Sequence, residues 1–464
     1  MIHETATSLK AGIEGVLRVD KSQVEVIDKE RFRRDLIDDL IYTAVFSADE
    51  SVRQAARWLI RRGGAAVGAY AASIHDLYCA MGQKEVAGFT VPAINIRTLT
   101  FETARAVLRA ALRLKAGPVI FEIARSEIDY TSQRPEEFTA AVTAAAIKTG
   151  YEGPLFLQGD HFQINAGKYS KDPVREVQAV KDLIWEAIEA GFYNIDVDTS
   201  TLVDLSRPTI KEQQQLNYAL AAELTTMIRD LEPMGVTISI GGEIGEVGGK
   251  NSTVEELAAF MAGYEEELKK NGEAMKGISK ISVQTGTSHG GIPMPDGTVA
   301  RVKLDFDTLE VLSREAREKY GLSGAVQHGA STLPDEAFDR FPSVGTAEVH
   351  LATGFQNMIY DSPHFPTELR DRIYGHLRTA CAGERKENDT EEQFLYKTRK
   401  KGFGPFKYDL WHLPEEKRRA LGQVLETQFA FLFEKLNVAG TQDILHRYVR
   451  PVDVPLNVPG VLVA

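Results

Sequence analysis

The feature that most constrains the fold is an alternation: eight short apolar runs of strand length, with helically spaced apolar residues between most of them. The runs are Thr90–Ile96, Pro118–Ile123, Pro154–Gly159, Tyr193–Asp198, Val236–Gly242, Ile278–Thr285, Ser323–Gln327 and Thr346–Leu351. Parallel strands joined by helical crossovers form either an open doubly wound sheet or a closed barrel. A count of eight, with no Gly-x-Gly-x-x-Gly after the first run, selects an α/β fold of the TIM (β/α)8 barrel type over residues 85–361. Leu36, Ile37, Leu40, Ile41 and Val45 recur at helix spacing and predict an N-terminal helical extension over 1–84. A C-terminal helical extension over 362–464 carries an exposed charged loop at Gly383–Thr390 and an amphipathic helix from Pro414 to Leu436.

Acidic residues outnumber basic ones 66 to 54, for a formal charge of -12, which argues against a nucleic-acid partner. Cys79 and Cys381 are too few for a disulfide scaffold and lack metal or redox spacing, so a reducing compartment and buried thiols are expected. No stretch approaches the roughly 18 consecutive apolar residues of a membrane span. The start of the chain lacks a basic segment leading into an apolar core. The expectation is a cytoplasmic protein with no membrane partner.

In such a barrel the functional side chains project from the C-terminal ends of the strands. The third run ends in Gln158-Gly-Asp-His161, the sixth leads into Thr287-Ser-His289, and the seventh ends in Gln327-His328. The barrel brings these three strand ends to one rim. Three imidazoles with an open position are what a Lewis-acid zinc requires, so His161, His289 and His328 are the candidate ligands. Asp160 adjoins His161, and Gly159 permits the bend that would turn both side chains toward the rim. A carboxylate beside a metal-bound oxygen is a natural general base. Gly290, Gly329, Ser331 and Thr353 lie in turns after the last three strands, where exposed backbone N–H groups can cradle a phosphate. Arg97 and Arg125 follow the first two strands and suit an anionic substrate, phosphate or carboxylate.

Seven segments in register carry a resemblance: Val91–Asn95, Gly159-Asp-His161, Gly191–Asp198 with Ser200, Gly242–Gly249, Gly286–Gly290, Leu304–Asp307, and Gln327–Ser331 followed by Pro334–Glu336. Over about residues 85 to 361 the chain resembles class II, zinc-dependent fructose- or tagatose-bisphosphate aldolases. Phe121–Arg125 and Leu157–Asn165 also resemble tagatose-bisphosphate aldolase accessory subunits and barrel enzymes that epimerise ketoses at C4. The resemblance implies a Zn2+ cofactor on His161, His289 and His328, with Glu243 beside it as an alternative ligand, and an additional monovalent cation. It implies that Asp160 shuttles the C4 hydroxyl proton. Asn95 would line the substrate site, and Gly290, Gly329, Ser331 and Thr353 would bind phosphate. It further implies a small phosphorylated or acidic sugar as substrate, a role in carbohydrate metabolism such as glycolysis, and a homo-oligomer.

Departures from the family pattern shape the functional expectation. Lys250-Asn251 stand where the family has acidic residues, one of which exchanges a proton at C3. His350 and Ala352 replace the asparagine and aspartate of the eighth strand, and Ala124 replaces a serine. The first expectation is a zinc-dependent lyase acting on the C3–C4 bond of a ketose phosphate. The alternative is a C4-epimerase of a ketose, ketose phosphate or ketouronate, and a third reading is a non-catalytic aldolase subunit.

Overall fold

The computed structural model describes residues 1–245, 249–272, 275–286, 294 and 304–463. The eight runs form eight parallel strands: β1 Val91–Asn95, β2 Ile120–Ala124, β3 Gly153–Gln163, β4 Asn194–Asp198, β5 Ser239–Gly245, β6 Lys280–Val283, β7 Ala325–Gln327 and β8 Glu348–Leu351. Each strand pairs with the next, β8 pairs with β1, and the sheet closes into a barrel. A closed barrel has no free edge, so its strands carry continuous apolar runs rather than half-exposed alternation.

The connecting helices follow from their apolar stripes. Thr100–Leu114 buries Phe101, Ala104, Val107, Leu108 and Ala111, and Pro135–Thr149 begins with proline at its first position and ends at Gly150, whose φ of 71° closes it. The terminal segments then cover these helices. Helix Glu415–Lys435 lies on Thr100–Leu114, where Arg109 Nε meets Glu426 Oε2 at 2.6 Å, and Phe429 packs on Phe355 with ring centroids 4.9 Å apart. At the other end of the chain, Ile37–Phe46 and Glu50–Ala66 pack on Pro135–Thr149.

The N-terminal segment is less uniformly helical than its spacing suggests. A hairpin, Leu17–Asp20 with Gln23–Val26, precedes the helices, and Ala69–Ala71 adds a short strand beside β3 outside the barrel wall. The third strand also runs past the end of its apolar run to Gln163, with a register shift between Gly159 and Phe162. The bend expected at Gly159 sits at His161, whose φ is 42°. Gly159 is needed for space instead: a Cβ there would meet the Phe162 ring at 2.5 Å. Cys381 is buried as expected, whereas Cys79 is half-buried; both are free thiols. Among the described residues, no helix is long and apolar enough to cross a membrane.

Candidate active site

The C-terminal mouth of the barrel opens into a cavity of 510 Å³. Asn95, Arg97, Arg125, Asp160, His161, Glu243, His328, Gly329, Ser331, His350 and Thr353 line it, so the topology gathers residues from β1 to β8 into one space. His289 and Gly290 lie outside the described residues.

At the centre, His161 and His328 stand with ring centroids 4.0 Å apart. Glu243 Oε2 lies 3.1 Å from His161 Nδ1, and Asp198 Oδ2 lies 3.4 Å from the same nitrogen. Asp160 is 3.5 Å from His161 and 3.9 Å from His328. Two sets of donor atoms, Asp160 with His161 and His328, and His161 with Asp198 and Glu243, each fall within 4.8 Å of one another. Imidazole nitrogens with carboxylate oxygens are the donor chemistry of a zinc-type divalent ion. The left-handed φ of His161 is unfavourable for a non-glycine residue and aims the ring at this cluster. Burial and the adjacent Asp198 push the Glu243 carboxyl up to about 7, with His161 opposing them.

Asp160 is held from several sides. Asn95 Nδ2 donates to its Oδ2 at 3.4 Å and to Glu127 at 2.6 Å, and His350 Nδ1 lies 3.1 Å from its Oδ1. His350 is itself fixed by Glu122 at 3.0 Å and Glu348 at 2.6 Å. Burial opposes a charge on this ring, but Glu122 and Asp160 beside it outweigh burial and raise it well above the ordinary histidine value.

Below His350 the barrel floor is ionic, which the sequence reading missed. Lys280 Nζ contacts Glu348 at 2.5 Å, Asp196 at 2.9 Å and Gln158 at 2.8 Å, and Gln158 Nε2 donates onward to Glu122 at 3.0 Å. Tyr78, from outside the barrel strands, donates to Glu348. Lys280 and Glu348 are 1% and 0% exposed, so their charges depend on this network of partners rather than on water. Gly241 makes room, since a Cβ there would meet Lys280 Cε at 2.9 Å. Lys280→Met strands two buried carboxylates and should cost about 3–5 kcal/mol of stability. Urea titration checks this, and adding Glu348→Gln should recover part of the loss; an unchanged midpoint for the single variant would contradict it.

The two arginines line the cavity, but their charges are already balanced. Arg97 donates to Glu127 at 2.7 Å, Thr353 at 3.2 Å and Gln356 at 2.9 Å. Arg125 grips Glu176 at 2.5 Å and the Gln163 carbonyl at 2.6 Å. In the turns, Gly329 adopts φ 68° and the Gly354 N–H donates to Ser331 Oγ at 3.0 Å. Asn251, in the loop after β5, donates to Asp305 at 2.9 Å.

Comparison with known proteins extends the geometry. The family profile described as fructose-bisphosphate aldolase class-II matches residues 80–401. A probable tagatose 6 phosphate kinase from Sinorhizobium meliloti 1021 is similar in structure, with 19% identity over 80% of this chain and 96% of that one and a TM-score of 0.53. A fructuronate-tagaturonate epimerase from Cohnella laeviribosi is also similar, with 13% identity over 75% and 81% of the two chains and a TM-score of 0.52. At these identities the structural likenesses speak to the fold.

Proposed function

We propose, from the premise that the chain belongs to the class-II fructose-bisphosphate aldolase family, that it is a metal-dependent enzyme making or breaking the C3–C4 bond of an anionic ketose. The observation that carries this reading is the convergence of His161, His328 and Glu243 with Asp160 in one cavity. His161 and His328 would hold the ion, Glu243 would serve as an alternative ligand, and His289 would complete the imidazole set. When bound, a zinc ion supplies Lewis-acid polarisation of the ketose carbonyl.

The protein's own residues supply the rest. Asp160 takes the proton of the C4 hydroxyl as the C3–C4 bond opens and returns it as the bond closes. Asn95 and His350 fix the Asp160 carboxylate in place for both steps. The turns at Gly329, Ser331 and Thr353 lie where a phosphate would sit on the rim.

A second reading, C4 epimerisation by the same bond cleavage, is favoured by Lys250-Asn251. An aldolase must protonate C3 to release its ketone product, and the acidic residues that would do so are absent from these two positions. An epimerase rotates the retained aldehyde and re-forms the bond at C3, so C3 never needs a proton. Incubating the zinc-loaded protein in D2O with fructose 1,6-bisphosphate, tagatose 1,6-bisphosphate, fructuronate and tagaturonate distinguishes the two. Free aldehyde together with a ketone fragment deuterated at the former C3 supports the aldolase; C4 inversion without solvent deuterium supports the epimerase. Absence of both, with zinc bound, would sink the catalytic reading and favour a non-catalytic subunit.

A further inference from the structure

We propose that Lys400, carried to the barrel mouth by the segment that follows the barrel, binds the oxyanion end of the substrate together with Arg97 and the Tyr130 hydroxyl. The inference rests on the reading of the cavity as a ketose site and adds the subsite that recognises charge. Lys400 lines the same cavity as Asp160, His161 and His328. It is the middle of three consecutive cations, and its two neighbours are engaged elsewhere. Arg399 pairs with Asp361 at 2.8 Å, and Lys401 pairs with Glu384 at 2.6 Å. Among the described residues, no carboxylate lies within ion-pair distance of Lys400 Nζ, which sits 5.7 Å from the centroid of the Tyr130 ring.

A half-buried ammonium with carboxylates near it but none in ion-pair contact is only partly compensated, and a bound anion would complete the compensation. Burial, then the nearby Arg97, hold Lys400 below the ordinary lysine value, so an incoming anion would relieve both effects. Tyr130 also lines the cavity, with its hydroxyl buried and facing the Glu127 carboxylate that pairs with Arg97. Lys400, Arg97 and the Tyr130 hydroxyl can each donate hydrogen bonds, as an oxyanion requires, while Glu127, the carboxylate beside them, is already paired with Arg97 at 2.7 Å. Asp129 on the same rim is exposed and pairs with neither Lys400 nor Arg97. The oxyanion can be a phosphate or a carboxylate, and the experiment separates them.

Calorimetric titration of the zinc-loaded protein with fructose 6-phosphate, fructuronate and uncharged fructose tests the subsite. The wild type should bind one of the charged sugars at least about 10-fold more tightly than fructose, the scale of one hydrogen bond to a charged group. The charged sugar preferred identifies the anion. Lys400→Gln should erase that preference while leaving fructose binding unchanged, and Lys400→Arg should retain it. Equal preference in wild type and Lys400→Gln, or no preference in the wild type, overturns the proposal. If no sugar binds, the ketose reading fails on its own. Inorganic phosphate and acetate, followed by thermal shift, then decide the subsite: a shift lost in Lys400→Gln upholds it, and no Lys400-dependent shift rejects it. Lys400-dependent binding without any bond cleavage would likewise separate the subsite from the proposed reaction.

Discussion

His328→Ala is expected to lower turnover by at least about 1,000-fold and to empty the metal site, because Lewis-acid stabilisation is worth several kcal/mol and depends on each direct bond to the ion. His328 is the better of the two described imidazoles to test. It follows β7, and its Nε2 lies 2.9 Å from Ser282 Oγ, so a truncated side chain leaves a polar neighbour that can take water. His161→Ala should have the same effect on turnover, but its left-handed backbone makes changes in local stability part of the result. Metal content by plasma mass spectrometry and turnover on the preferred ketose give the two readouts. A His328→Ala variant that keeps both stoichiometric zinc and wild-type rate would remove His328 from the site.

Asp160→Asn should reduce turnover by about 10²–10⁴-fold while zinc stays bound, since the amide keeps the shape but cannot accept the hydroxyl proton. Asn95 donates to one carboxylate oxygen and His350 lies against the other. The amide must therefore point its NH2 toward one of these two donors, and a modest drop in stability should accompany the catalytic loss. Full turnover with an empty metal site would mean that Asp160 supports the ligands and does not move a proton.

All eight barrel strands were legible as apolar runs, because a strand buried on both faces must be apolar almost throughout. The mouth was legible for a related reason: polar residues at the ends of apolar runs, such as Asp160 and His328, have few roles there beyond capping or chemistry. The floor was not. Glu122, Gln158, Asp196, Lys280 and Glu348 interrupt five different runs, and each alone reads as an isolated polar intrusion. Only closure of the barrel shows that they satisfy one another. Lys400 was hidden differently, within a Lys-Thr-Arg-Lys-Lys sequence that resembles a solvated helical face. The N-terminal hairpin escaped because its turn is Lys21-Ser22, with φ of 52° at Lys21, and lacks the Asn-Gly or Asp-Gly that marks such turns.

The ionic floor beneath His350 also restricts how sequences of this kind can diverge. Its members sit on β2, β3, β4, β6 and β8, so no single replacement can neutralise the layer: removing the ammonium strands acids, and removing one acid leaves the others facing a changed cation. Apolar substitution of the whole layer at once is the tolerated route, because matched burial of hydrophobic groups can equal a buried ion pair. Relatives should therefore carry either the complete charged set or none of it, with intermediates rare. Two lineages separated at these five positions would then differ by a jump, while the residues at the mouth proposed to hold the metal stayed the same in both.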